Sequence, residues 1–229
     1  MAQKKPKASR SKELMWQSWR EGKLVVSLPD VRDDLARIDA SPREVYADLG
    51  AYRERILSQH GEDGITYELL RRTGMQRRTC VGIGCGYNGG NAGFLIAGLD
   101  YHGLFLDGDE DLTGIAAALF SDFDVDVVNA WIDPKTVDQL VADHGIAGDI
   151  DYLGIDLEGI DYWIWEGLTS ISPRLVVVEY NQMFGLELAV TIPRVDGFNR
   201  KERGESGRLR WPKGYYGASL RAFERLARS

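Results

Sequence analysis

TCVGIGCGYNGGNAGFLIAGLDYHGLFLDGDE, Thr79 to Glu110, is the stretch on which the reading of this chain turns. A short apolar run, Cys80–Val81–Gly82–Ile83, stops at a cluster of glycines. A weakly apolar helical segment follows around Phe94, Leu95 and Ile96, then a second apolar run, Leu104–Phe105–Leu106, that ends on Asp107. Strand, glycine-rich turn, helix, strand and acid is the plan of a nucleotide-binding βαβ unit. The glycines let the backbone approach a ligand with no Cβ in the way, and an acid at the second strand end suits a ribose diol.

The alternation continues outward from that unit. Apolar, β-rich runs recur at Val125–Val128, Tyr152–Ile155 and Leu175–Val178. The gaps hold helical segments such as Leu112–Phe120 and Pro134–His144, the latter with Asp133 as cap and Pro134 at the first helical position. Five strands alternating with helices predict an α/β fold, a doubly wound, Rossmann-like, mostly parallel sheet covered on both faces.

Upstream, residues 1–50 read as a basic tail followed by a helical extension, and residues 51–229 as the main domain. Met1–Lys12 is polar, basic and without periodicity, so disorder is expected there. Glu13–Gly22 suits a short helix with Trp16 and Trp19 on one side. Ser41-Pro42-Arg43-Glu44 is a capping box, and the helix it opens carries Val45, Leu49, Tyr52 and Ile56 at helical spacing. Ser58–Ile65 (SQHGEDGI) is a polar loop before a helix that uses Ile65, Leu69 and Leu70 and stops at Gly74. A last helix is expected over Ala218–Ala227.

Composition narrows the function classes. With 229 residues, 44% hydrophobic and 28% charged, the chain has the make-up of a globular domain with a sizeable core. A formal net charge of -7 argues against a general nucleic-acid binder, which needs a basic surface. Cys80 and Cys85 form no metal-type or redox pair and read as free thiols in a reducing compartment. No apolar run approaches a membrane span and no signal-peptide core opens the chain, so the expectation is a cytoplasmic protein without a membrane partner.

Ligands of such sheets bind at the carboxyl ends of the strands. There this chain places GCGYNGG, then DGDE, then Asn129, then Asp156-Leu157-Glu158-Gly159, and finally Glu179-Tyr180-Asn181. Helix caps favour the same residue types, but five polar strand ends together point to a ligand site. Gly84-Cys85-Gly86-Tyr87-Asn88-Gly89 matches GxGxxG, and Asp107 follows at the spacing of a dinucleotide site. Acids at the fourth and fifth strand ends, however, have no standard role in NAD binding. They suit a site that surrounds a cationic sulfonium and activates a hydroxyl.

SQHGEDGI, IGCG (Ile83–Gly86), the LDGDE ending, IDYLGIDLEGIDYWIWEGL (Ile150–Leu168), PRLVVVEYN (Pro173–Asn181) and YYGASL (Tyr215–Leu220) together resemble the FkbM-like methyltransferases. These are class I, S-adenosylmethionine-dependent enzymes that often methylate hydroxyls of sugars or natural products. The resemblance runs from about Tyr52 to the last residue. It implies an O-methyltransferase acting on a small hydroxylated acceptor. Ile83, Gly84, Cys85 and Gly86 would lie against the methionine part of S-adenosylmethionine, and Asp107 would hold the ribose hydroxyls. Gly108 and Asp109 would flank the adenine, with Asn129 and Ala130 closing over it. Asp156, Glu158 and Glu179 would face the transferred methyl and the acceptor, and Gln59 and Asp63 would border the same pocket.

The chemistry asked of those residues is mostly positioning, because methyl transfer is an in-line displacement at carbon. A carboxylate takes the acceptor's proton, or Asp156, Glu179 and Asn181 hold a Mg²⁺ that acidifies the hydroxyl. His60 reads equally as a loop residue or a catalytic base. Tyr162, Trp163 and Trp165 read as core. His102 and His144 read as solvent-facing residues near turns. Asn199–Arg210 reads as a solvated loop or as a lid whose arginines would favour an anionic acceptor.

Two features depart from the family pattern. Class I methyltransferases usually carry an acid two positions before the first motif glycine, and this chain has Gly82. The family also continues with two antiparallel edge strands that are not expected here, leaving the fifth strand to be covered by a homodimer, a partner chain, or the last helix and loop. A non-catalytic methyltransferase-like subunit is therefore the second reading. An NAD-binding oxidoreductase, carried only by GxGxxG and without a Tyr-x-x-x-Lys, is the third.

Overall fold

The computed structural model describes residues 21, 27–40, 48–200, 202, 210–212 and 214–229. The expected Glu13–Gly22 helix and the Ser41–Glu44 capping box lie essentially outside them. The elements in chain order are α1 (Val31–Ala40), α2 (Glu62–Thr73), β1 (Thr79–Ile83), α3 (Gly93–Leu99), β2 (His102–Asp107), α4 (Glu110–Leu119), β3 (Val125–Asn129), α5 (Val137–Asp143), β4 (Gly148–Ile155), α6 (Asp161–Gly167), β5 (Ile171–Val178) and α7 (Leu220–Leu226).

The five strands form one sheet in the order β3-β2-β1-β4-β5, every neighbouring pair parallel. The doubly wound fold expected from the apolar runs is the one observed. The chain leaves β1 in one direction through β2 and β3 and then returns to β4 on the other side of β1. That reversal makes the crevice beyond β1 and β4 the place where such sheets bind ligands.

Two apolar layers cover the sheet. One gathers Phe94, Leu95 and Ile96 of α3 with Tyr67 and Leu70 of α2, over Cys80, Phe105 and Tyr152. The other packs Val137, Val141 and Ile164 over Val81, Leu104, Leu106 and Leu153. β1 is buried along its whole length, as a central parallel strand should be. Helix α1 belongs to the first layer: Val31, Leu35 and Ile38 are buried, and a Cβ on Gly98 of α3 would stand 2.5 Å from Leu35 and 2.6 Å from Val31. Nothing in the apolar pattern announced this helix.

Two helical expectations are corrected. The helix expected to run to Ile56 is, where described, only the single 3₁₀ turn Leu49–Tyr52, after which Arg53 is extended at ψ 112. Local propensity is overridden because the chain beyond it must present its N–H groups to Asp63. In α2 the inward face is Thr66, Tyr67 and Leu70, with Ile65 and Leu69 half-buried, so the helix is rotated from the expected stripe. Tyr162, Trp163 and Trp165, read from the sequence as core, are half-buried and pack against it, with Trp165 stacked 5.9 Å from Phe223 of α7.

β5 is an edge strand, which is why it tolerates Pro173. Past its carboxyl end, Asn181 N–H donates to the Ala218 carbonyl at 2.8 Å, and Thr191 bridges Ala218 antiparallel. Among the described residues no helix is long and apolar enough to cross a membrane.

Candidate functional site

The strand ends converge on a cleft lined by Gly82–Cys85, Gly89–Ala92, Gly154, Ile155 and Asp156. The glycine-rich turn is tied down on its inner side. The N–H groups of Gly84 and Cys85 donate to the Leu106 carbonyl at 2.8 and 3.2 Å, and Gly86 N–H donates to Asp107 Oδ2 at 2.9 Å. Gly84 has φ +75, and a Cβ there would sit 1.9 Å from the Asp156 carbonyl oxygen, so β1 and β4 leave room for glycine alone. Gly86, at φ +60, has nothing within 4 Å of where its Cβ would be. Its open face is the bare backbone a ligand can approach.

Ile83 and Cys85 turn their side chains into the interior, so only their backbone faces the cleft. Burial pushes the Cys85 thiol far above its ordinary range, and Asp107 adds to this, so it is no nucleophile. Asp107 is half-buried at the end of β2, and its other oxygen accepts from Asp109 N–H at 2.9 Å. Each oxygen keeps a free lone pair for a diol. Asn129, its register partner on β3, donates to the Asp107 carbonyl at 3.1 Å, and Ala130 N–H does the same at 3.0 Å.

Asp109 has a structural role beside Gly108. Its carboxylate accepts from Asp111 and Leu112 N–H at 3.1 and 3.3 Å, which makes it the N-cap of α4 and spends it on the helix. The residue the motifs missed is Trp131. It is 56% exposed, and a Cβ on Gly108 would lie 3.4 Å from its ring. An aromatic face left in water beside Gly108 is a platform for a flat heterocycle. The only sequence signal was an unexplained tryptophan two residues past the third strand.

At the other end of the cleft are Asp156 and Glu179, each the first residue beyond its strand. Partial burial, followed by the fields of Asp161, Glu158, Glu62 and Asp107, pushes the Asp156 carboxyl up to about 6. Glu179 is pushed up to about 7 by partial burial, then by Asp156, Asp161 and Glu158, with Arg200 opposing. Both residues are exposed overall, so repulsion from the neighbouring carboxylates counts for more than burial. Glu158 takes a left-handed φ of 51, rare for a residue with a Cβ, and pairs with Arg200 at 2.9 Å. The turn is set by Asp161, another missed residue: buried, it accepts from Leu157 and Gly159 N–H at 2.7 and 2.9 Å.

The SQHGEDGI loop is built around Asp63 rather than His60. Asp63 Oδ2 accepts three successive backbone N–H groups, from Ile56, Leu57 and Ser58, at 2.7–2.8 Å. The loop is joined to the glycine-rich turn by Asn88, which donates to the Leu57 carbonyl at 2.9 Å. Gln59 and His60 are exposed, and the contacts of His60 are made by its backbone, to Glu62 and Arg53. His60 is thus better described as a loop residue than as a base.

Asn181 is corrected as a metal ligand. It is fully buried, its carbonyl oxygen accepts from Met183 N–H, and its amide donates to the Gly214 and Tyr216 carbonyls. Among the described residues no three His, Cys, Asp or Glu side chains stand together as a metal site. The described arginines of the expected lid are also engaged: Arg210 pairs with Glu202 and Arg200 with Glu158. A larger cavity, about 220 Å³, lies at the opposite, amino-terminal edge of the strands. Of the two histidines lining it, His102 contacts Thr79 and His144 contacts Asp126. Switch-point geometry favours the smaller cleft as the site.

Compared with known proteins, the chain matches no protein-family model and no curated protein.

Proposed function

We propose that the chain is an S-adenosylmethionine-dependent O-methyltransferase acting on a hydroxyl of a small molecule. The observation that carries this reading is the division of the cleft. One end offers an open glycine backbone, a diol-accepting carboxylate and an exposed indole; the other offers two carboxyls raised toward neutrality. The residues fit the cofactor's parts: Trp131 for the adenine, Asp107 for the ribose, and the backbone of Ile83–Gly86 for the amino-acid tail. When bound, S-adenosylmethionine supplies a methyl group carried on a sulfonium.

The chain's own residues then do two things. Asp156 and Glu179 place negative charge on the acceptor side, favouring a cationic centre in the cleft. Glu179, with a pKa near neutrality, is suited to take the proton of an acceptor hydroxyl, and Asp156 beside it keeps that carboxylate basic. Leu157–Gly159, fixed by Asp161, form the wall against which the acceptor is positioned.

A labelled-methyl transfer assay over a panel of hydroxylated acceptors tests this. Turnover that falls about a hundredfold in Glu179→Gln while cofactor affinity holds supports the assignment. Full activity in Glu179→Gln would refute the base.

A second reading is favoured by one observation. Met183, Leu186 and Leu188, just past the edge strand, are 76%, 64% and 60% exposed. A methyltransferase-like subunit covered there by a second chain would leave such residues bare when alone. Light scattering on wild type and Leu186→Glu separates the cases: a dimer that the variant dissolves favours it, and a monomer in both removes it.

A further inference from the structure

Arg200 enters the acceptor end of the cleft from the segment that follows Phe198. The buried Phe198 ring lies on the turn after β4, since a Cβ on Gly159 would stand 2.8 Å from it. Two residues on, the Arg200 guanidinium donates to Glu158 at 2.9 Å and lies 4.2 Å over the Tyr216 ring, with 31% of its side chain exposed. A carboxylate on one side and an aromatic face on the other make a favourable seat for a planar, weakly hydrated cation.

Both partners of Arg200 are tied to the carboxyl pair. Glu158 is two residues beyond Asp156, in the turn that Asp161 fixes. Its left-handed φ of 51 is kept only where the surroundings hold it, and they hold its carboxylate against Arg200. Tyr216 is fastened to the end of β5. Its carbonyl accepts at 2.9 Å from the amide of Asn181, two residues past Glu179, and the N–H of Gly217 donates to the Gly159 carbonyl at 2.6 Å. Arg200 thus spans the crevice from the β4 side to the β5 side, and its charge is held beside Asp156 and Glu179. The ionisation of Glu179 agrees: burial, Asp156, Asp161 and Glu158 raise it, and Arg200 opposes them.

We infer that Arg200 is a positioning residue for the proposed base: clasped between Glu158 and Tyr216, it holds the turn after β4 to the chain after β5 and sets positive charge beside the Asp156–Glu179 pair. This rests on the reading of Glu179 as the group that takes the acceptor's proton. Three acids around Glu179 favour its protonated form, and the guanidinium favours the ionised form that a base must have.

The test reads Glu179 directly, by NMR titration of the chain labelled at its glutamate side chains, with the Glu179 signal identified by its loss in Glu179→Gln. Arg200→Gln removes positive charge and should move the Glu179 titration up by about half a pH unit or more. Glu158→Gln removes an acid and leaves the guanidinium uncompensated, so it should move the titration down by a similar amount. Arg200→Lys keeps the charge and should restore most of the wild-type value. A clasp with no electrostatic role would shift Arg200→Gln and Glu158→Gln alike, or neither, and either result would overturn the inference. The titration needs no ligand. Opposed shifts in a chain that transfers no methyl group would therefore refute the methyltransferase reading and leave the charge arrangement standing.

Discussion

Asp156 and Glu179 stand side by side because the register that pairs Ile155 with Val178 ends both strands at the same level, and Glu179 N–H donates back to the Ile155 carbonyl at 3.3 Å. Parallel pairing thus forces two carboxyls into one crevice. Partial burial raises both, Asp156 adds to the rise of Glu179, and the pair holds protons further toward neutrality than free carboxyls do.

Stability should therefore fall as pH rises between roughly 4 and 7. In that window the native chain holds protons at Asp156 and Glu179 that the unfolded chain has released, and stability declines wherever the native state binds more protons. The depressed carboxyls Asp138 and Asp196 act oppositely, but only below the usual carboxylate range. Thermal unfolding should give a higher midpoint near about pH 5 than near about pH 8, and Glu179→Gln should flatten the difference. A wild-type midpoint that rises over this range would contradict the pair.

Gly84→Ala and Gly86→Ala should separate folding from binding. A methyl at Gly84 meets the Asp156 backbone at 1.9 Å, which no side-chain motion relieves. A loss of about 3 kcal/mol or more is expected, measurable by urea unfolding. At Gly86 the methyl enters open space, so the cost is the strain of a positive φ, on the order of 1 kcal/mol. Binding of S-adenosylhomocysteine, not stability, should suffer most there.

Asp161→Ala should destabilise by about 3 kcal/mol, since two backbone N–H groups of the Leu157–Gly159 turn lose a carboxylate partner. Asp161→Asn, which keeps one acceptor, should lose less. Equal stability of all three proteins would show that the turn holds without this anchor.

Trp131→Ala should leave the unfolding midpoint unchanged, because the ring is largely in water already. Affinity for S-adenosylhomocysteine should drop about tenfold. An unaltered affinity would remove the indole from the site.

The sheet was legible because five apolar runs are each bounded by polar or glycine-rich segments, and a parallel sheet needs such runs. The true starts of β4 and β5 were hidden by Asp149, Asp151, Pro173 and Arg174, which break the apolar pattern. Asp151 is a buried acid inside β4 that accepts from Arg77 and Arg78 N–H, a tertiary role that no local pattern shows. The strand-end carboxylates were legible as a set, but not which of them are spent internally. Asp109 and Asp63 read like ligand residues, yet one caps a helix and the other folds a loop. Trp131 was missed because its neighbour Gly108 is distant in the chain, and Asp161 because its partners, the Leu157 and Gly159 N–H groups, are backbone atoms that no residue pattern marks.

The most direct measurement is a calorimetric titration of wild type and Asp107→Ala with S-adenosylhomocysteine, with NAD⁺ as the control ligand. The account predicts micromolar binding of S-adenosylhomocysteine that is lost in the variant, and no binding of NAD⁺. Binding of NAD⁺ in its place, or of neither ligand, would contradict it.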